Sequence, residues 1–405
     1  MKVDPAAAGM DDQRLERITE HFNERYVATG KLPGCQVTVA RGQSVGYFRS
    51  FGTMDRERHK PVEEDTIWRI YSMTKPIASI ALMQLYEQGA FQLSDPVHRF
   101  IPEWRGLSVE ESAEDGSARN VAPDRPMSVR DALMHMTGLP GSVVADHPVD
   151  DRFATALRSS RSGMTLEGIC TLLADFPLKF QPGTRWNYGL STDVCGRLVE
   201  IISGRRFDDY LHDEIFGPLG MPDTGFFVPD GSADRFCASY LYQPGGEPKL
   251  VDDPDTSSYR RPRSYLSGAG GLVSTSGDYL RFCQMLLGNG ELDGQRVIGR
   301  KTLELMTCNH LPGGGDLGQF VSGGFGESGF EGVGFGLGFA IGLGPAVTGT
   351  AGSFGEYYWG GAASTAFWVD PVEEVTVVFM AQLLPSTCYP FRSQLRALVY
   401  QALLD

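Results

Sequence analysis

The chain has 405 residues, enough for a large buried core and more than one lobe. Its 50 acidic residues outnumber its 36 basic ones, and the resulting net charge of -14 repels phosphate backbones, which excludes nucleic acid as an expected partner. The seven cysteines form no C-x-x-C pair and the seven histidines show no H-x-x-x-H or H-E-x-x-H spacing, so the expectation is reduced, mostly buried thiols, no metal and no cofactor. No apolar segment of signal-peptide type follows Lys2, and the apolar run over 77–85 is too short to span a bilayer. A cytoplasmic chain without a membrane partner is therefore expected.

Taken in chain order, residues 11–26 place Leu15, Ile18, Phe22 and Tyr26 on one helical face. Residues 34–52 read as two strands about a turn at 41–43, with Cys35, Val37 and Val39 alternating against Gln36, Thr38 and Ala40. Residues 128–135, 166–176, 191–203 and 207–216 read as helices. Residues 313–361 are rich in glycine without a strict period, which reads as long loops plus one glycine-rich strand, GFGLGFAIGLG. Two more strands follow over 364–382, turning at 370–373, and a helix over 391–404 closes the chain. Strands at both ends with helices between them predict an α/β domain of residues 1–85 and 262–405 and a mainly helical domain of residues 86–261, with the site in the cleft.

The strongest chemical signal is WRIYSMTKPIASIALMQLYEQG, residues 68–89. A short β-like run leads to Ser72, and an apolar helix stops before Gly89. Pro76 fits only a first helical turn, which places Ser72 at or near the helix start. Serine and lysine three residues apart then share a face, and the Lys75 amine can reach the Ser72 hydroxyl. Serine needs such a partner to become a nucleophile, and a helix N-terminus favours the negative charge that develops on attack. Spacing alone favours the plainer reading, with Ser72 as a helix cap. A lysine in the first turn of a buried apolar helix favours the catalytic reading. A second candidate, Ser44 in Gly42-Gln43-Ser44-Val45-Gly46, matches G-x-S-x-G, but it lies between two β runs and reads as a hairpin turn.

With four further segments, Tyr71-Ser72-Met73-Thr74-Lys75 resembles the serine β-lactamase and penicillin-binding-protein superfamily. The segments are MSVRDALMHMTGLPG (127–141), FQPGTRWNYG (180–189), SGAGGLVSTSGDYLRF (267–282) and WGGA (359–362). Within that superfamily the chain is most similar to the family VIII carboxylesterases, relatives of class C β-lactamases. The resemblance implies a β-lactamase-like α/β plus α fold, its antiparallel sheet and flanking helices built from both termini, with a helical lobe inserted. It implies Ser72 as the acylated nucleophile, Lys75 as keeper of the proton network, and Tyr188 as base toward Ser72 and acid toward the leaving alcohol. Trp359, Gly360 and Gly361 stand at the third motif, and the Ala362 and Ser72 N–H groups would form the oxyanion hole.

Two departures shape the substrate expectation. Trp359 stands where a β-lactamase carries a cationic lysine, and Leu190 where the second motif often has asparagine. Losing both polar anchors favours short-chain or small aromatic esters and leaves room for weak β-lactam hydrolysis. The rival readings are a β-lactamase or D-amino-acid peptidase, an acyltransferase working through the same acyl-enzyme, and a non-catalytic ligand-binding or scaffold protein. Segments 146–164 and 313–334 are expected as loops walling the pocket.

Overall fold

The computed structural model describes residues 1–112, 117–141, 145–160, 163–321 and 329–404. Its centre is an antiparallel sheet of eight strands, built from both ends of the chain. In chain order these are β1 (Gly34–Arg41), β2 (Ser44–Asp55), β3 (Lys60–Pro61), β4 (Val333–Phe335), β5 (Ala340–Gly342), β6 (Tyr357–Gly360), β7 (Ala366–Asp370) and β8 (Val375–Ala381). Across the sheet they run β4-β5-β6-β7-β8-β1-β2-β3. The two termini meet where β1 pairs with β8, in a register that sets Cys35 opposite Ala381 and Val37 opposite Phe379.

Alternation along the strands feeds two separate cores. Val37, Val39, Val377 and Phe379 face helices α1 (Asp12–Phe22) and α5 (Phe391–Tyr400), packing with Leu15, Ile18, Phe22, Phe391 and Leu395. The intervening residues Phe367, Val369, Val378 and Met380 face the opposite way, into the larger core. That core holds α2 (Thr74–Glu87), α3 (Ser191–Ser203) and α4 (Ser276–Leu287). The polar alternates of β1 are buried as well: Gln36 lies beneath this second layer and donates to Ser50 Oγ at 3.0 Å and the Glu63 carbonyl at 2.9 Å.

Helix α2 is the buried central helix that its all-round apolar sequence predicts, with residues 74–85 all buried. The hairpin at 41–44 is also as expected, with Arg41 paired to Ser44. Other elements differ. The glycine-rich run forms two paired strands, β4 and β5, because Gly338 takes φ +98 and turns the chain so that Phe335 opposes Ala340. The expected helix at 128–135 is only Val129–Leu133, ended by His135 at φ +59. Residues 207–216 begin as α-helix and widen to a π-helix at His212–Phe216. Segment 146–164 is largely a helix, Pro148–Ser159, capped by the His147 side chain with proline in its first turn. Residues 161–162 of that segment, and 322–328 of the other expected wall, lie outside the described residues. Among the described residues, no helix is long and apolar enough to cross a membrane.

Candidate active site

The turn that carries Ser72 is clamped before α2 begins. Trp68–Arg69 pairs with Val273–Ser274, and the Ile70 N–H donates to the Leu272 carbonyl at 3.1 Å. Tyr71 then takes φ +43, a left-handed conformation that costs a bulky residue about 1–3 kcal/mol and persists only where neighbours enforce it. A 3-10 turn, Tyr71–Met73, carries Ser72 to the N-terminus of α2. Tyr279 donates to the Met73 carbonyl at 2.9 Å, and Thr365 donates to the Ile70 carbonyl at 3.4 Å. Ser72 itself is half-buried.

Lys75 is the second residue of α2 and is 4% exposed. Its Nζ donates to Ser72 Oγ at 3.2 Å and to the Ala269 carbonyl at 2.7 Å. It also lies over the Tyr188 ring, 4.3 Å from the centroid, in cation–π contact. Spacing of three on a helix thus delivers the serine–lysine contact it predicts.

Tyr188 is buried in an aromatic wall. Its ring stacks on Trp186 at 5.4 Å and 8°, and it meets Trp359 at 5.3 Å and His135 at 5.0 Å. The Trp359 indole N–H donates to the Tyr188 hydroxyl at 3.0 Å. Asn187, next in the chain, is tied to the 135–139 loop: its backbone N–H reaches the His135 carbonyl and its side chain the Leu139 carbonyl, both at 2.7 Å. The tyrosine loop and the MTGLPG loop therefore position each other.

Trp359 and Gly360 end β6, and Gly361 follows against the turn that carries Ser72. A Cβ on Gly361 would stand 2.2 Å from Thr365 Oγ1, 2.6 Å from the Ile70 carbonyl oxygen and 3.3 Å from Tyr71 Cβ. No side chain fits there, which is the physical reason for glycine at this position. Ala362 is exposed just beyond it. Ser72, Lys75, Tyr188, Trp359, Gly360 and Gly361 thus gather at one end of α2. Ser44 begins β2 in a hairpin between strands, without the strand–turn–helix setting of a nucleophile elbow.

Three groups at the site carry no plain sequence signal. The Ala269 carbonyl that accepts Lys75 is backbone and invisible to residue type. Behind it, Asp193 Oδ1 accepts from Ser267 Oγ at 2.7 Å and from the Ala269 N–H at 3.3 Å. Asp193 is fully buried in the first turn of α3, where an acidic residue reads as helix-end charge compensation. Burial raises its pKa, opposed by the Ser267 hydrogen bond and the Lys75 charge. His135 is also buried, and burial together with the Lys75 charge holds its pKa well below 6.5, so the imidazole beside Tyr188 is neutral at neutral pH. Of the expected walls, the 313–334 segment does reach the aromatic cluster: the Trp186 N–H donates to the Phe320 carbonyl at 3.1 Å, and Phe330 lies 6.1 Å from the Trp186 ring.

The family model described as Beta-lactamase matches residues 15–401. Esterase EstB of Burkholderia gladioli is 29% identical over 98% of both chains. Monacolin J acid methylbutanoyltransferase of Aspergillus terreus is 30% identical, covering 71% of this chain and 70% of its own. Among solved structures, EstCE1, described as a hydrolase with promiscuous acyltransferase activity, superposes with a TM-score of 0.78 at 26% identity, over 96% of this chain and 99% of its own.

Proposed function

Because the chain belongs to the beta-lactamase family and is a serine hydrolase within it, we propose that it cleaves short-chain or small aromatic esters through an acyl-enzyme on Ser72. The observation that carries the ester reading is the Trp359 indole at the third motif, which donates to the Tyr188 hydroxyl at 3.0 Å. An aromatic N–H donor in that place can hold a phenolate, but it offers no cation to a substrate carboxylate.

Ser72 Oγ attacks the ester carbonyl and gives up its proton to the Lys75–Tyr188 pair, with Lys75 Nζ 3.2 Å from Oγ. The oxyanion that forms is met by the N–H groups of Ser72 and Ala362. The carbon–oxygen bond to the alcohol breaks, and the alcohol leaves with the proton from Tyr188. Water, activated by the same pair, attacks the acyl-enzyme, and the Ser72 oxygen recovers its proton as the acid departs. The acyltransferase names among the relatives favour a second acceptor in that last step, an alcohol in place of water.

The test is hydrolysis of p-nitrophenyl butyrate and of nitrocefin by wild type, Ser72→Ala and Ser44→Ala, with folding verified for each. The expected result is ester turnover well above nitrocefin turnover, retained in Ser44→Ala and reduced about a thousandfold or more in Ser72→Ala. Activity surviving in Ser72→Ala overturns the proposal, and nitrocefin turnover equal to ester turnover overturns its substrate class. Added alcohol that diverts product to a new ester supports the transfer reading.

A further inference from the structure

The peptide group between Gly361 and Ala362 has two ends with different neighbours. Its N–H end is the proposed oxyanion donor. Its carbonyl end accepts from Arg392 Nη2 at 3.2 Å and from the Ser364 N–H at 3.2 Å. The same Arg392 nitrogen donates to the Thr365 carbonyl at 3.1 Å, and Thr365 in turn accepts from the Gly361 N–H at 2.8 Å. One guanidinium therefore bridges both carbonyls that close the turn after β6.

Gly360 makes room for this contact. A Cβ there would stand 2.5 Å from Arg392 Nη2 and 2.6 Å from its Cζ. The two glycines of the motif consequently have separate reasons: Gly361 admits the nucleophile turn, and Gly360 admits the arginine. The turn is fixed further by Ser364, at φ +72, whose hydroxyl donates to the Leu383 carbonyl at 2.8 Å. The base of Arg392 is also fixed. It follows Phe391, which is fully buried among Phe22, Tyr26, Phe379 and Tyr389. One helical turn on, Arg396 holds Glu356 at 2.6 and 2.7 Å, so α5 grips the chain on both sides of β6.

We propose that Arg392 is a positioning residue of the oxyanion hole, acting through the Gly361–Ala362 peptide group. A cation on the carbonyl oxygen draws charge along the amide, which makes its N–H a stronger donor. The same bond fixes the peptide plane, so that the N–H is aimed before charge develops. The proposal rests on Ala362 serving as the oxyanion donor, and it adds an amplifier that the motif itself does not contain. The effect belongs to the tetrahedral state, where oxygen carries a full charge, and leaves binding of a neutral ester almost unchanged.

The test uses Arg392→Met, Arg392→Lys and Gly360→Ala, each with intact folding by circular dichroism. Measured are kcat and KM for p-nitrophenyl butyrate and the inhibition constant of a neutral trifluoromethyl ketone, whose adduct with Ser72 places an oxyanion in the hole. Arg392→Met is expected to lower kcat and weaken the ketone by the same factor, about tenfold, with KM unchanged. Arg392→Lys recovers part of both, and Gly360→Ala loses both by displacing the guanidinium. Should Arg392→Met misfold, the other two variants carry the test. A folded Arg392→Met with unchanged kcat and ketone affinity overturns the proposal. So does a loss confined to KM for esters that bear a carboxylate, which would make Arg392 a substrate anchor. A wild type that the ketone does not inhibit overturns the Ser72 reading beneath it, a result separate from any difference between wild type and variant.

Discussion

Replacing Trp359 with phenylalanine isolates one hydrogen bond at the centre of the site. The indole N–H donates to the Tyr188 hydroxyl at 3.0 Å, while the ring also touches Tyr188 at 5.3 Å, Phe335 at 5.5 Å and Trp186 at 6.4 Å. Phenylalanine keeps most of the ring contact and removes the donor. If Tyr188 accepts the Ser72 proton as a phenolate, the donor acts on a charged oxygen, where a hydrogen bond contributes about 1.5–3 kcal/mol. At about 1.4 kcal/mol per factor of ten, kcat/KM should fall roughly 10- to 150-fold. Trp359 is half-buried, so stability should fall by only about 1 kcal/mol. The assay is kcat/KM for p-nitrophenyl butyrate, which follows acylation from free enzyme and substrate. A folded Trp359→Phe within about twofold of wild type would refute the claim that the indole acts on Tyr188 charge.

Asp193→Asn keeps an acceptor for Ser267 and the Ala269 N–H but removes the charge behind Lys75. Since burial raises the Asp193 pKa, its ionised form costs stability as pH rises through that pKa; the variant should melt higher at neutral pH while kcat falls about tenfold, and a lower melting point with full activity would contradict this. His135 has a pKa depressed well below 6.5, so its contribution is present above pH 6.5 and lost as pH falls, when the unfolded chain binds the proton first. His21 and His310 act with the same sign. His135→Asn, a residue that tolerates φ +59, should make urea stability drop less between pH 6.5 and about pH 5.5, by about 1 kcal/mol; an unchanged drop would refute the assignment. Arg396→Met strands the buried Glu356 carboxylate and should cost about 3–5 kcal/mol by denaturant titration, with much of the loss recovered by Glu356→Leu in the same chain.

Part of the candidate site's geometry was legible because Ser72 and Lys75 are close in sequence. Ser72 and Lys75 are one helical turn apart, and Pro76 dates the helix start to within a residue or two. Helix α3 matches its expected span, 191–203, because Gly204 takes φ +69 at its C-terminus. What stayed hidden depends on long-range closure or on backbone atoms. Arg392 reaches Gly361 from 31 residues further along the chain, and in sequence it is one of two arginines on an amphipathic helix. The Ala269 carbonyl has no residue signature at all. The segment GFGLGFAIGLG reads as one strand because its apolar residues continue through the turn, and only Gly338 at φ +98 breaks it. Polar and charged residues mask the helix Pro148–Ser159, although Pro148 in its first turn marks a helix start.

The most direct test of the central claim is to find where the acyl group goes. Wild-type protein mixed with saturating p-nitrophenyl butyrate, acid-quenched within the burst and digested, should yield one acylated peptide by mass spectrometry, with the butyryl group on Ser72 and none on Ser44. The same treatment of Ser72→Ala should yield no acylated peptide. A butyryl group on another residue, or full ester turnover with no covalent adduct in any quench, would contradict the acyl-enzyme account.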